Sequence, residues 1–144
     1  MDIGDDAGSF PSVAVGADGG VHVTYFASGS GDLRYATCEA PCTWSREIVD
    51  VGAPAGFFHG WNYTSLARGP NGLELSYYDA RNGRLRGASC ASHCDTGGAW
   101  TTFTVSLHGS TETADRMTSL RVDGAGDRHV AWIDRSGGVR YTRY

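Results

Sequence analysis

One stretch of this chain is written three times. The first copy runs Phe10-Pro-Ser-Val-Ala-Val15, then Val21-His-Val-Thr-Tyr-Phe26, then Asp32-Leu-Arg-Tyr-Ala-Thr-Cys38. The second runs Tyr63-Thr-Ser-Leu-Ala-Arg68, Leu73-Glu-Leu-Ser-Tyr-Tyr78 and Arg84-Leu-Arg-Gly-Ala-Ser-Cys90. The third runs Met117-Thr-Ser-Leu-Arg-Val122, Arg128-His-Val-Ala-Trp-Ile133 and Val139-Arg-Tyr141. A further matched pair, Trp44–Asp50 and Trp100–Ser106, follows the first two copies. Repeats of this length are single supersecondary units that bury their apolar faces only by stacking on one another. The chain must therefore fold as a stack of like units.

Each unit reads as short strands. Val21, Val23 and Tyr25 alternate with His22, Thr24 and Phe26, a period of two, and both sets carry apolar residues, so both sheet faces are expected to be covered. The breaks carry turn chemistry: Asp18-Gly19-Gly20, Asn71-Gly72 and Asp123-Gly124 after the first strand, Asn82-Gly83 and Gly137-Gly138 after the second. The 21 glycines among 144 residues, roughly twice the ordinary share of ~7%, supply that punctuation. No stretch of useful length has a helical period. The expectation is one all-β domain over residues 1–144, built from units at approximately 9–50, 62–106 and 116–144, each a four-stranded antiparallel meander.

The segments Ser65-Leu66-Ala67, Gly72, Ser76-Tyr77-Tyr78-Asp79, Gly83, Leu85 and Cys90 resemble the tandem repeats of secreted bacterial β-propeller-type proteins. The first unit departs from that pattern at Phe26-Ala27 and the third at Trp132-Ile133-Asp134. The resemblance implies propeller blades and no defined reaction. Three units of four strands also describe a β-trefoil, the alternative architecture, although the Gln-x-Trp signature of its lectin families is absent and the chain has no Gln at all. The sequence supplies two full units and three strands of a third, with Met1–Gly4 a candidate for the missing strand. Three blades fall below the four of ordinary propellers. The expectation is a homodimer completing a six-bladed ring, or a fragment of a longer propeller.

Twelve basic residues, all Arg, against sixteen acidic ones leave a net charge of −4 with no basic run, which argues against a nucleic-acid partner. No apolar run reaches the ~20 residues of a membrane helix. Cys38 and Cys42, and Cys90 and Cys94, each flank the connection before a Trp, and are expected to pair within their own units. A metal site using His93 is the weaker reading, because Pro41 stands at its place in the first unit. Two disulfides imply an oxidising compartment, extracellular or periplasmic. Met1 is followed by Asp2, Asp5 and Asp6 rather than a signal peptide, so the sequence is expected to begin at a processed or engineered start.

Strand direction alternates, so the connections divide between two ends of the molecule. The long link around Phe57-Phe58-His59-Gly60-Trp61 joins the second-to-third hairpins at one end, beside Asp79 and Arg81 and beside Asp134 and Arg135. Aromatic faces next to carboxylates and guanidinium groups suit sugars. Phe57, Phe58, His59, Trp61, Asp79, Arg81, Asp134 and Arg135 are therefore the candidate ligand-binding residues, for a glycan or a protein surface. The competing reading has the rings filling a gap between units and the two aspartates capping their own turns. His22, Glu74 and His129 recur at one position, as do Arg34, Arg86 and Arg140, and Tyr25, Tyr77 and Trp132; repetition favours structural roles. No nucleophile elbow, zinc helix or phosphate loop is present, and nothing points to a cofactor or a metal. The expected function is non-catalytic binding, with a carboxylate-dependent glycosidase or a purely structural repeat as alternatives.

Overall fold

The computed structural model describes residues 8–39, 41–52, 63–79, 81–106, 117–134 and 137–144. Among them it holds eleven strands and no helix. Strands β1 (Gly8–Val15), β2 (Val21–Ala27), β3 (Leu33–Glu39) and β4 (Thr43–Asp50) form one antiparallel sheet in sequence order. A second meander contains β5 (Thr64–Gly69), β6 (Gly72–Asp79), β7 (Arg84–Cys90) and β8 (Thr101–Thr104). The third has β9 (Thr118–Val122), β10 (Arg128–Ile133) and β11 (Val139–Arg143). None of the three sheets closes on itself. Met1–Gly4, the candidate twelfth strand, lies outside the described residues.

Local chemistry sets these elements. Alternating β-branched and aromatic residues favour the pleat. The Asn82-Gly83 turn needs a left-handed residue, and Gly83 supplies it at φ +63°. Gly87 stands where the first and third units have Tyr35 and Tyr141, because the Phe103 ring lies where its Cβ would be. The fourth strands share an irregularity. In the first sheet the register slips between Leu33 and Arg34. In the second, the N–H groups of Val105 and Ser106 both reach the Leu85 carbonyl, and β8 ends at Thr104.

The sheets stack through opposite faces. Phe26, Leu33, Tyr35 and Val49 of the first pack with Leu66, Leu73, Leu75, Tyr77 and Trp100 of the second. Ala67 and Leu85 leave the other face of the second sheet to pack with Leu120, Val130 and Trp132 of the third. β1, β5 and β9 lie side by side, in that order. A repeated device joins them: the Ser12 hydroxyl accepts the Leu66 N–H at 2.9 Å, and its equivalent Ser65 accepts the Leu120 N–H at 2.9 Å. A hydroxyl pair sits beside each, Thr24–Thr64 at 3.2 Å and Ser76–Thr118 at 2.8 Å. The two serine bonds satisfy backbone donors at the junctions between units.

Candidate functional site

At the end bearing the second-to-third hairpins, the aspartates are occupied locally. Asp79 accepts the backbone N–H groups of Arg81 and Asn82 at 3.1 and 3.2 Å and the Asn82 side-chain amide at 2.7 Å. Asp134 accepts the Gly138 N–H at 2.9 Å and Arg140 Nε at 2.5 Å. Arg81 donates to the Gly52 carbonyl. Each aspartate thus closes its own turn, the competing reading of these residues. Phe57, Phe58, His59, Trp61 and Arg135 lie outside the described residues.

A cavity of about 470 Å³ opens at the opposite end, between the first and second sheets. The first sheet contributes Asp18 from the β1–β2 hairpin, His22 from the start of β2, and Tyr35 and Thr37 from β3. The second contributes Arg68, Leu73 and the connection carrying residues 91–95. His22 Nδ1 lies 2.8 Å from the Tyr35 hydroxyl and 3.2 Å from Thr37 Oγ1, and Thr37 donates in turn to the Val21 carbonyl at 3.1 Å. Tyr35 packs on Trp100, whose indole N–H reaches the Cys94 carbonyl at 2.9 Å. The imidazole wall is therefore fixed from behind by the core.

The rim has fixed charges of both signs. Asp18 accepts the Gly20 N–H at 3.1 Å, a bond that holds its carboxyl below the ordinary range, with Arg68 and His22 acting in the same direction. Asp95 accepts the Ser45 hydroxyl across the sheets at 2.8 Å. His93 is exposed with φ +52°, an uncommon conformation for a residue with a Cβ. The Cys90–Cys94 disulfide and the Thr96 bonds to the His93 carbonyl, 3.0 Å from N and 2.7 Å from Oγ1, hold it there. Both Cys90 and Cys94 are thereby bound to each other, and Cys38 to Cys42, so no free thiol stands beside His93 as a metal ligand. Among the described residues no group of three His, Cys, Asp or Glu is placed to hold a metal ion.

Asp79, Arg81 and Asp134 lie at the other end of the sheets from this cavity. The recurrence of His22 and His129 in the sequence points to a structural slot. Both histidines do bond a tyrosine of the next strand, His22 with Tyr35 and His129 with Tyr141, each at 2.8 Å. In the second unit the slot holds Glu74, clamped by Arg128 Nε and Nη2 at 2.7 Å each. The recurring arginines all face carboxylates: Arg34 Asp32, Arg86 Asp50 and Asp79, Arg140 Asp134. No helix among the described residues is long and apolar enough to cross a membrane. No protein-family model matches the chain, and no curated protein matches it.

Proposed function

We propose that the chain is a non-catalytic binding module of an exported protein, built of propeller-like blades, which takes a hydroxyl-rich ligand of the oligosaccharide class in the cleft between its first two units. The cleft carries the reading: one cavity is lined by the His22–Tyr35–Thr37 hydrogen-bonded wall of the first sheet and by Arg68, His93 and Asp95 of the second, with Asp18 at its rim. Such a mixture of fixed donors and acceptors with little net charge matches a sugar's hydroxyl groups better than it matches a phosphate or an apolar ligand. The Asp18 carboxyl, held low by the Gly20 N–H, lacks the raised pKa of a glycosidase's general acid, which speaks against that carboxylate as the acid of a hydrolase. The side-by-side first strands, with three further strands running outward from β1 and β5, support blades over a trefoil. The two disulfides are compatible with an oxidising location.

A glycan array probed with wild type, His93→Ala and Arg68→Ala tests the reading. Both side chains stand at the rim and are exposed, so their loss spares the core. The expected result is retention of a defined oligosaccharide by wild type and at least about tenfold weaker retention by each variant, the scale of one or two lost charged hydrogen bonds. Retention by all three proteins alike, or by none, would contradict it.

A further inference from the structure

The three units are not equally covered. Leu33 and Leu85, equivalent residues in the first and second sheets, are 1% and 0% exposed, whereas Val139 at the same position of the third is 79% exposed. On the opposite face the order reverses: Val13 of the first sheet is 61% exposed, whereas its equivalents Leu66 and Leu120 are 4% and 1% exposed. Every large apolar residue exposed among the described residues lies in the first or third unit or on Val51 beyond β4, and none in the second. Among the described residues, interior positions are thus open only on the faces that no other described sheet covers.

We propose that the open face of the third sheet and the open face of the first are two halves of one interface, closed head to tail by a second copy of this chain. A third junction of this kind continues the two already formed. In both, a β1-type serine accepts an N–H of the next unit. The third such serine, Ser119, is exposed, and Val13 presents the matching N–H position. In both, a hydroxyl pair bridges the units, Thr24–Thr64 and Ser76–Thr118. At the third junction the equivalent residues are Ala131 and Pro11, and both hydroxyls are gone together. Loss of one alone would strand a polar group if the two faces met, whereas loss of both strands none. Tyr35 packs on Trp100 at the first junction. Their equivalents, Tyr141 and Trp44, are both exposed, one on each open face.

Two copies of the three described units would place six in the ring, within the ~4–8 blades that close. That count rests on the blade reading above; the head-to-tail order rests on the equivalences alone. Closure also sets His129 and Tyr141 of one copy against Val21 and the Cys38–Cys42 connection of the other. These are the places that His22, Tyr35, Leu73 and the Cys90–Cys94 connection hold in the first cleft. The interface would therefore build a second cleft, incomplete in either copy alone, that keeps the imidazole and the phenol but has Val15 and Pro41 where the first has Arg68 and His93.

Native mass spectrometry and sedimentation velocity of the wild-type chain at micromolar concentration decide the matter. The expected species has twice the 15.3 kDa chain mass. A single 15.3 kDa species, or an open series beyond the dimer, would overturn the proposal. Val139→Glu and Val13→Glu, each at a position exposed within the chain, should each weaken dimerisation at least about tenfold by burying an unpaired carboxylate. Mixing the two variants leaves one wild-type junction and should restore a heterodimer; a mixture that stays monomeric while both variants keep the wild-type far-ultraviolet spectrum would overturn the head-to-tail order. Oligosaccharide binding is read separately: a monomer that binds sugar refutes this interface and leaves the first cleft standing, and a dimer that binds none does the reverse.

Discussion

Asp50 shows what single residues do in this molecule. It leaves the end of β4 and accepts the Tyr77 hydroxyl at 2.5 Å and Arg86 Nη1 at 2.7 Å, so one carboxylate ties the first sheet to the second. Burial, then the bond to Asp50, pushes the Tyr77 phenol far above its ordinary range, and burial pushes Tyr144 up to about 12. A phenol raised in the folded state contributes stability that is complete below its unfolded pKa of ~10 and is lost as pH rises beyond it. Tyr77→Phe should cost about 1.5–3 kcal/mol at neutral pH, the range for a hydrogen bond to a charged group. It should also flatten the loss of stability above pH ~10. Urea midpoints of both proteins across that range check the two effects; a steeper alkaline loss in the variant would contradict the assignment. The recurrence of Arg34, Arg86 and Arg140 made ion pairing legible in the sequence. The partner of Arg86 was not, because Asp50 lies in another unit and meets it only once the sheets stack.

At the scale of elements, strands and turns were readable because their causes are local. Alternation sets which residues share a face, and Asn-Gly or Gly-Gly sets where the chain reverses. The end of β8 was not readable, since the two hydrogen bonds that the Val105 and Ser106 N–H groups donate to the Leu85 carbonyl depend on how β7 and β8 pair. The connection after β7 links stability to the cleft. Its disulfide closes a loop of four residues' separation, which in the chain-entropy account stabilises the fold by about 2 kcal/mol. Replacing Cys90 and Cys94 by Ser should lower stability by about that amount and also weaken oligosaccharide retention, because His93 loses one of the constraints on its left-handed backbone. Replacing Cys38 and Cys42 should cost similar stability and leave the first cleft unaffected, since neither residue lines it. Thermal unfolding and the array separate these outcomes. Equal effects of the two replacements on binding would show that the loss is general.

For the whole molecule, the repeat announced like sheets in a row, and three antiparallel sheets of four, four and three strands stack in chain order. What the repeat could not announce is where two units fail to fill the space between them. The cleft exists because His22, Tyr35 and Thr37 face Arg68, Leu73 and His93 across a gap that no single unit contains. The aromatic link is the most conspicuous run in the sequence, whereas the described cavity is lined mainly by residues that read as ordinary strand ends. The account's central claim is that this cleft holds the ligand. Solution NMR of the histidine imidazoles during titration with the oligosaccharide retained on the array tests it most directly, with His22→Asn and His93→Ala assigning the signals. The account predicts that the His22 and His93 resonances shift together and saturate with the same affinity; a ligand that binds while both stay unmoved would contradict it.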